Sequence, residues 1–483
     1  MTPTNTLETK QPSMLYIASF SELWERFSFY IVEALLVVYL IESKHLSQSY
    51  SYQLLGTYIS NSFIFTVIGS YFGQRIIGFK YAVNLGALLM AIGYACLLSP
   101  NLNFLYHGLS LIVVGSAFFK PNMACFVGSL YTIKTDARYY AGYNIYYASI
   151  MLGVIFSTSV SGYVLHVFGW DANFSIASIC MVLAFSIFWL GYRCFVNTAY
   201  NFTSNVESPV QQWLLTLCAA VLLWFSMHFF LIHTYAAEAE LIVCLLIVVM
   251  YLVREIHYLY KSQNKDASNA LLKFIACIVL LIFSCVYWAL LFQLFFSLNL
   301  MVKFIIDRQF LGFELPSPLF MGIESIFVVL FSIALTRLWA VLERKKTRMK
   351  IFTKYTIAFT ACCIGFAMLI ISLQITSKPH FIWVITSYAF IGLGEAILAP
   401  TALAMIAQLN REHRVALMMA ILYVFWGFGT KIADIIAQWS LFPPALTDPN
   451  LIAPYFNQAI IYYAAISLGV AILAYLGRYF FRV

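Results

Sequence analysis

Ser21-Glu22-Leu23-Trp24-Glu25-Arg26-Phe27-Ser28-Phe29-Tyr30 lies in the first long apolar run of this chain, and apolar and aromatic residues continue past Tyr39. Glu22, Glu25 and Arg26 carry charge inside that run. A charged side chain at mid-bilayer costs about 2.5–3.5 kcal/mol on insertion scales. Charges that survive there face a watery cavity, pair with one another, and handle ions or protons. The stretch therefore reads as a membrane helix with chemistry on it, and it points toward transport.

Composition agrees. The chain has 483 residues, 62% of them hydrophobic and only 10% charged. A soluble domain carries about 25% charged residues, so the chain is read as a polytopic membrane protein. Apolar runs long enough to cross a hydrocarbon core of about 30 Å fall at 14–41, 52–74, 80–98, 105–131, 141–166, 171–195, 210–233, 237–260, 271–300, 317–342, 351–376, 380–408, 413–440 and 455–481. That count of fourteen is even and places both termini on one side. With the N-terminus in the cytoplasm, only Lys44, Lys303, Arg308 and Lys378 fall on the opposite side. Nearly all other Lys and Arg residues then lie in cytoplasmic loops and helix ends, as the positive-inside rule requires. The net charge of +8 is thus a signal of topology. It does not mark a nucleic-acid partner, for which a basic stripe with motif context is absent.

The ten cysteines are scattered through apolar runs without a C-x-x-C pair, so they read as small buried residues rather than a disulfide framework or a zinc site. No histidine spacing suggests a metal. No phosphate-binding loop is present, and no nucleophile–base set appears at mid-membrane. The chain is therefore not expected to be an enzyme, and no cofactor is expected. The polar start, Met1 to Ser13, lacks the charge and apolar pattern of a cleaved signal.

On helical spacing, Glu22, Arg26, Phe29 and Glu33 share one face of the first helix, with Glu25 and Tyr30 on its flanks. Arg26 can reach Glu22 one turn back and Tyr30 one turn on. Two acids with one guanidinium leave a surplus acid, which in low dielectric can exchange a proton. Lys120 is an isolated ammonium in the fourth span; it can bind a substrate carboxylate or pair with that surplus acid. Glu395, between Gly394 and Ala396, can receive an amine, or can be a protonated acid bonded to nearby backbone. Lys431 and Asp434, three apart, are read as a structural pair. Gly115 and Pro121 in the fourth span echo Gly394 and Pro400 in the span 380–408, each pair six apart with one charge between. Setting aside 210–260, these spans hold corresponding places in two sets of six, a pointer to a transporter's midplane site.

Glu22-x-x-Glu25-Arg26-Phe27-Ser28-Phe29-Tyr30 resembles the E-x-x-E-R-F-x-Y-Y signature of the proton-dependent oligopeptide transporter (POT) family, within the major facilitator superfamily. Phe119-Lys120-Pro121-Asn122 resembles its F-K-P/A-N segment, and Gly394-Glu395 with Pro400 resembles its helix-10 glutamate motif. Gln293 to Asn299 resembles the start of the C-terminal half in some bacterial members. The resemblance implies an all-α major facilitator fold with fourteen transmembrane helices. Its parts would be a cytoplasmic tail (1–13), an N-terminal six-helix bundle (14–195), a linker with two additional helices (196–270) and a C-terminal six-helix bundle (271–483).

It also implies a proton-coupled symporter that imports di- and tripeptides or related small zwitterions by alternating access. The machine would sit in the bacterial inner membrane, both termini cytoplasmic, working as a monomer. Glu22, Glu25 and Arg26 would couple protons. Arg26, Tyr30, Glu33, Lys120, Tyr147, Gln293 and Glu395 would bind substrate. Several positions depart from the family pattern. Glu33 stands where a second arginine is common, Met151 where an asparagine is, Phe292 where an acid is, and Gln74 where an aspartate is. These departures keep two alternatives open, a proton-coupled carrier of a non-peptide substrate and a substrate-binding membrane sensor that does not cycle.

Overall fold

The computed structural model describes residues 11–131, 137–195, 204–261, 265–344, 349–409 and 412–481. Most of the expected N-terminal tail lies outside these residues, as do the loop cations Lys10, Lys134, Lys345, Lys346, Arg348, Arg411 and Arg482.

The described chain is almost wholly helical. Its helices are α1 (Ser13–Glu42), α2 (Gln48–Ile64), α3 (Thr66–Arg75), α4 (Phe79–Cys96), α5 (Leu102–Ser129), α6 (Ala137–Phe168), α7 (Trp170–Phe195), α8 (Pro209–Ile232) and α9 (Thr234–Lys261). After these come α10 (Lys265–Leu291), α11 (Ser297–Phe304), α12 (Pro318–Arg344), α13 (Ile351–Ile375), α14 (Ile382–Leu409), α15 (Glu412–Ala437) and α16 (Pro449–Phe480). A short antiparallel hairpin, β1 (Gln309–Phe310) and β2 (Phe313–Glu314), precedes α12.

Among the described residues, twelve helical segments are long and apolar enough to cross a membrane. The other two expected spans fail that composition test for visible reasons. α1 carries Glu22, Glu25, Arg26 and Glu33 along its length. The span 52–74 is broken at Phe65 into α2 and α3, each too short alone. The span 271–300 is also interrupted, by a tight 3₁₀ turn at Phe292–Leu294 between α10 and α11. Buried backbone freed by such a break needs a partner. Gln293 supplies one, donating from Nε2 to Ala289 O at 3.1 Å and Ala433 O at 2.9 Å.

The chain divides into two compact units. The first comprises Met1–Val32, Phe65–Val160 and Val164–His228. Here small residues let backbones touch. A β-carbon on Gly86 would lie 2.5 Å from Gly115 O, and one on Gly108 would lie 2.7 Å from Gly93 O, so α4 and α5 are locked together along two turns. α1 is tied to α7 by Ser21 Oγ donating to Ala184 O at 2.8 Å and Ser28 Oγ donating to Ala177 O at 2.9 Å. α8 docks on α5 through stacked imidazoles, His107 and His228, with ring centroids 3.9 Å apart.

In α5, Pro121 has no N–H, so the Ala117 carbonyl loses its helical donor. α3 fills that place. Gly69 packs so closely on Ala117 O that any side chain would overlap it. Asn122 then donates to Gly69 O at 2.9 Å and to Phe118 O at 2.8 Å, stitching the irregular turn to α3.

The second unit comprises Glu33–Ile64, Ser161–Tyr163 and Phe229–Val483. Within it α14 packs against α10, α12 and α13, and α15 packs against α2 and α10. Trp288 and Trp426 stack with centroids 4.2 Å apart across α10 and α15. Tyr287 donates to Ile391 O at 2.9 Å, and its hydroxyl occupies the space left by the missing side chain of Gly394.

Candidate functional site

The charges of α1 form one buried cluster in the first unit. Glu22, Glu25 and Arg26 are 2%, 0% and 8% exposed, so none of them is solvated at the surface. Arg26 Nε lies 3.2 Å from Glu22 Oε1 and also donates to Glu25 Oε2. One guanidinium thus serves two carboxylates from a single turn of helix. Gly153 of α6 makes room for it, since a β-carbon there would lie 2.6 Å from Arg26 Cβ.

Two groups from other helices complete the cluster. The Tyr146 hydroxyl of α6 acts electrostatically on Glu22. Lys120 of α5 places Nζ 3.6 Å from the centre of the Phe29 ring, whose other cationic neighbour is Arg26 at 5.5 Å. A ring face attracts cations, so Phe29 gathers both positive groups to one place. The Lys120 charge acts on Glu22 as well. The surplus acid expected on helix 1 therefore has a counter-charge, and it comes from α5. Glu25 Oε1 and Arg26 Nη2 remain buried without a hydrogen-bond partner among the described residues.

The remaining candidates are placed as follows. Tyr30 adjoins Phe29, with ring centroids 5.5 Å apart, and its hydroxyl acts electrostatically on Arg26. Glu33 is 1% exposed and belongs to the second unit. Tyr147 is 42% exposed, whereas its neighbour Tyr146 holds the inward position at Glu22. Tyr146 was missed in the sequence, although Gly153 lies seven residues on and so on the same helical face. Gln293 is fully buried, and besides its two carbonyl acceptors it accepts from Ser297 Oγ at 2.7 Å. Its polar atoms are thus engaged in holding the α10–α11 break, a role that spacing alone did not reveal. In the second unit Glu324 of α12 sets its carboxyl group against Gly392 of α14, one turn before Glu395. Lys431 and Asp434 form the expected pair, Nζ to Oδ2 at 2.6 Å.

A family model described as the POT family matches residues 80–445. A protein named dipeptide and tripeptide permease B from Photorhabdus asymbiotica subsp. asymbiotica is 26% identical over 462 residues, spanning 93% of this chain and 91% of its own length. A protein of the same name from Yersinia enterocolitica is 25% identical and spans 98% of this chain and 95% of its own. Among solved structures, a bacterial homologue of the human drug peptide transporters PepT1 and PepT2 superposes with a TM-score of 0.83 at 21% identity, covering 97% of this chain and 98% of that one. The structure of tetrameric PepTSo2 superposes with a TM-score of 0.82 at 22% identity, covering the same shares. These likenesses establish the all-α major facilitator fold, two six-helix bundles plus two additional helices. With the family match extending over most of its length, this chain belongs to the POT family, which is a family of transporters and not of enzymes.

Proposed function

We propose that the protein is a proton-coupled symporter of the bacterial inner membrane, with both termini cytoplasmic, that imports di- and tripeptides or related small zwitterions by alternating access. The observation that carries this reading is the balance of the α1 cluster: two buried acids, Glu22 and Glu25, held by Arg26 and by the charge of Lys120. The names of its relatives as dipeptide and tripeptide permeases support the substrate class.

The coupling follows from electrostatics. A substrate carboxylate that recruits Arg26 or Lys120 takes counter-charge away from Glu22 and Glu25. A buried acid stripped of its cation takes up a proton. Arg26 Nη2, buried without a partner among the described residues, is the donor such a carboxylate would meet first. Substrate binding and proton binding then favour each other, as reciprocal linkage requires. The gradient is sufficient as a driving force, because one proton crossing 100 mV yields about 2.3 kcal/mol. No cofactor enters the cycle.

The test is accumulation in liposomes. With an inside-alkaline gradient and a labelled dipeptide mixture, the wild type accumulates label, and Glu22→Gln and Glu25→Gln do not. Binding without accumulation in the wild type would overturn the carrier reading and leave a sensor. A non-peptide organic cation as cargo is favoured by one feature, a second buried acid, Glu324, set against α14 one turn from Glu395. A thermal-shift competition of peptides against amines separates the two cargoes.

A further inference from the structure

Lys80 opens α4 and Arg193 stands near the end of α7, and both reach one aromatic cluster in the first unit. Lys80 Nζ lies 4.5 Å from the centre of the Tyr192 ring, 5.1 Å from Trp189 and 5.3 Å from Tyr81. Arg193 Cζ lies 4.8 Å from Trp189, so one indole serves two cations. The ring of Trp213, one turn into α8, closes edge-on against Tyr81 with centroids 5.7 Å apart. We propose that Lys80 and Arg193, in this aromatic setting, form a binding site for the phosphodiester headgroup of one anionic membrane phospholipid.

The two cations bring donors and lack an acceptor. An ammonium carries three N–H donors and a guanidinium five. Ring faces attract the charge without neutralising it. Among the described residues neither Lys80 nor Arg193 pairs with a carboxylate or donates from its side chain to an oxygen. Two like charges on one ring repel each other, and an anion between them turns that repulsion into attraction. A lysine that only snorkels needs no second cation beside it. The described linker that leads to α8, 204–208, docks on the turn before Lys80. Ser204 Oγ donates to Ile76 O at 2.8 Å, and Asn205 N donates to Arg75 O at 2.8 Å. That linker carries one acid, Glu207, which is exposed and pairs with neither cation, while the turn itself adds the exposed base Arg75. The local balance stays positive and favours an anionic headgroup over a zwitterionic one.

The rings are held from behind, and the surface beside them is apolar. Phe188 and Phe126 back the Tyr192 ring at 6.2 Å and 6.0 Å, and Phe185 stacks on Trp189 at 6.0 Å. Ser178 Oγ of α7 donates to Ala91 O of α4 at 2.9 Å and ties the two helices together. Two exposed apolar stripes run along them from the cluster toward the membrane interior. On α4 Leu88 and Ile92 follow Tyr81, and on α7 Leu190, Val182 and Ile179 precede Arg193. Helical spacing keeps each stripe on one face. Acyl chains attached to the gripped phosphate would lie along these stripes. Basic pockets between membrane helices bind such headgroups, and Trp and Tyr favour the same depth. By the orientation proposed above this edge meets the cytoplasmic leaflet, although the site itself does not depend on that orientation.

Native mass spectrometry of the delipidated full-length protein tests the site. The wild type, incubated with an equimolar mixture of phosphatidylglycerol and phosphatidylethanolamine, should retain one phosphatidylglycerol in preference. Lys80→Gln and Arg193→Gln should each lower that retention about fivefold, the effect of one basic residue near an anionic headgroup. Lys80→Arg should keep it, which separates loss of charge from loss of fold. Lys354→Gln is the matched control, a single cation 4.8 Å from Trp339 in the second unit, and should leave retention unchanged. Inorganic phosphate should not displace the lipid, because it brings no acyl chains to the stripes. Four results would each overturn the lipid site: equal retention of both lipids by the wild type, unchanged retention in both glutamine variants, a loss in Lys80→Arg or Lys354→Gln equal to that in Lys80→Gln, and displacement by inorganic phosphate. None of these readouts involves transport or protons, so the symport reading stands or falls separately.

Discussion

Lys431 Nζ lies 2.6 Å from Asp434 Oδ2, and Gly56 of α2 packs so closely on that carboxyl group that a methyl would overlap it. The pair is almost fully buried, with side chains 6% and 1% exposed. Removing one partner of such a pair leaves an uncompensated charge and typically costs 3–5 kcal/mol. Lys431→Met is therefore expected to lower the thermal midpoint strongly in detergent, read by intrinsic fluorescence. The double variant Lys431→Met, Asp434→Leu should recover most of that loss. Equal loss in the single and double variants would show that the pair does not hold α15.

Tyr146→Phe removes one hydroxyl from Glu22 and leaves the ring. The fold should persist, because even a hydrogen bond to a charged group is worth only about 1.5–3 kcal/mol. Uphill accumulation driven by the proton gradient should fall, while exchange of labelled for unlabelled substrate, which needs no net proton movement, should continue. Parallel loss of both activities would place Tyr146 in substrate binding instead of coupling.

Gln293→Leu separates a structural role from a binding one. The substitution removes the side-chain donor of Ala433 O and one of the two hydroxyl-bonding partners of Ser297, Tyr463 being the other. Unpaired buried polar groups cost about 1–3 kcal/mol each. The thermal midpoint should drop, with substrate preference in competition assays unchanged. A change of preference without loss of stability would return Gln293 to the substrate site.

Asn122→Ala should destabilise the protein by about 1–3 kcal/mol, since Gly69 O and Phe118 O lose a shared donor. Gly69→Ala should be at least as harmful, because its methyl meets backbone at Ala117 that cannot step aside. Thermal unfolding checks both; wild-type stability in Gly69→Ala would show that α3 is free to move away from α5.

The helices were legible because membrane crossing demands long apolar runs. The breaks were less so. Neither Phe65 nor Phe292–Leu294 contains the proline or glycine that marks a helix end, and the second break is held by Gln293 reaching Ala433 on another helix. Glu22, Glu25 and Arg26 were legible because helical spacing alone brings them together. Tyr146 depended on the rotation of α6 about its axis, which its neighbour Tyr147 obscured. The Lys120 contact with Phe29 joins α5 to α1, and Glu324 against Gly392 joins α12 to α14. Both are products of tertiary packing, which no local pattern encodes.

The turn built from Pro121, Gly69 and Asn122 has a consequence for descent. A lineage that replaced the proline alone would restore a donor to Ala117 while Gly69 still crowded that oxygen, and one that enlarged the glycine alone would collide with it. Each residue is permissible because the other two are present. The three are accordingly expected to be inherited together, and drift at any one of them should await compensating change at its companions.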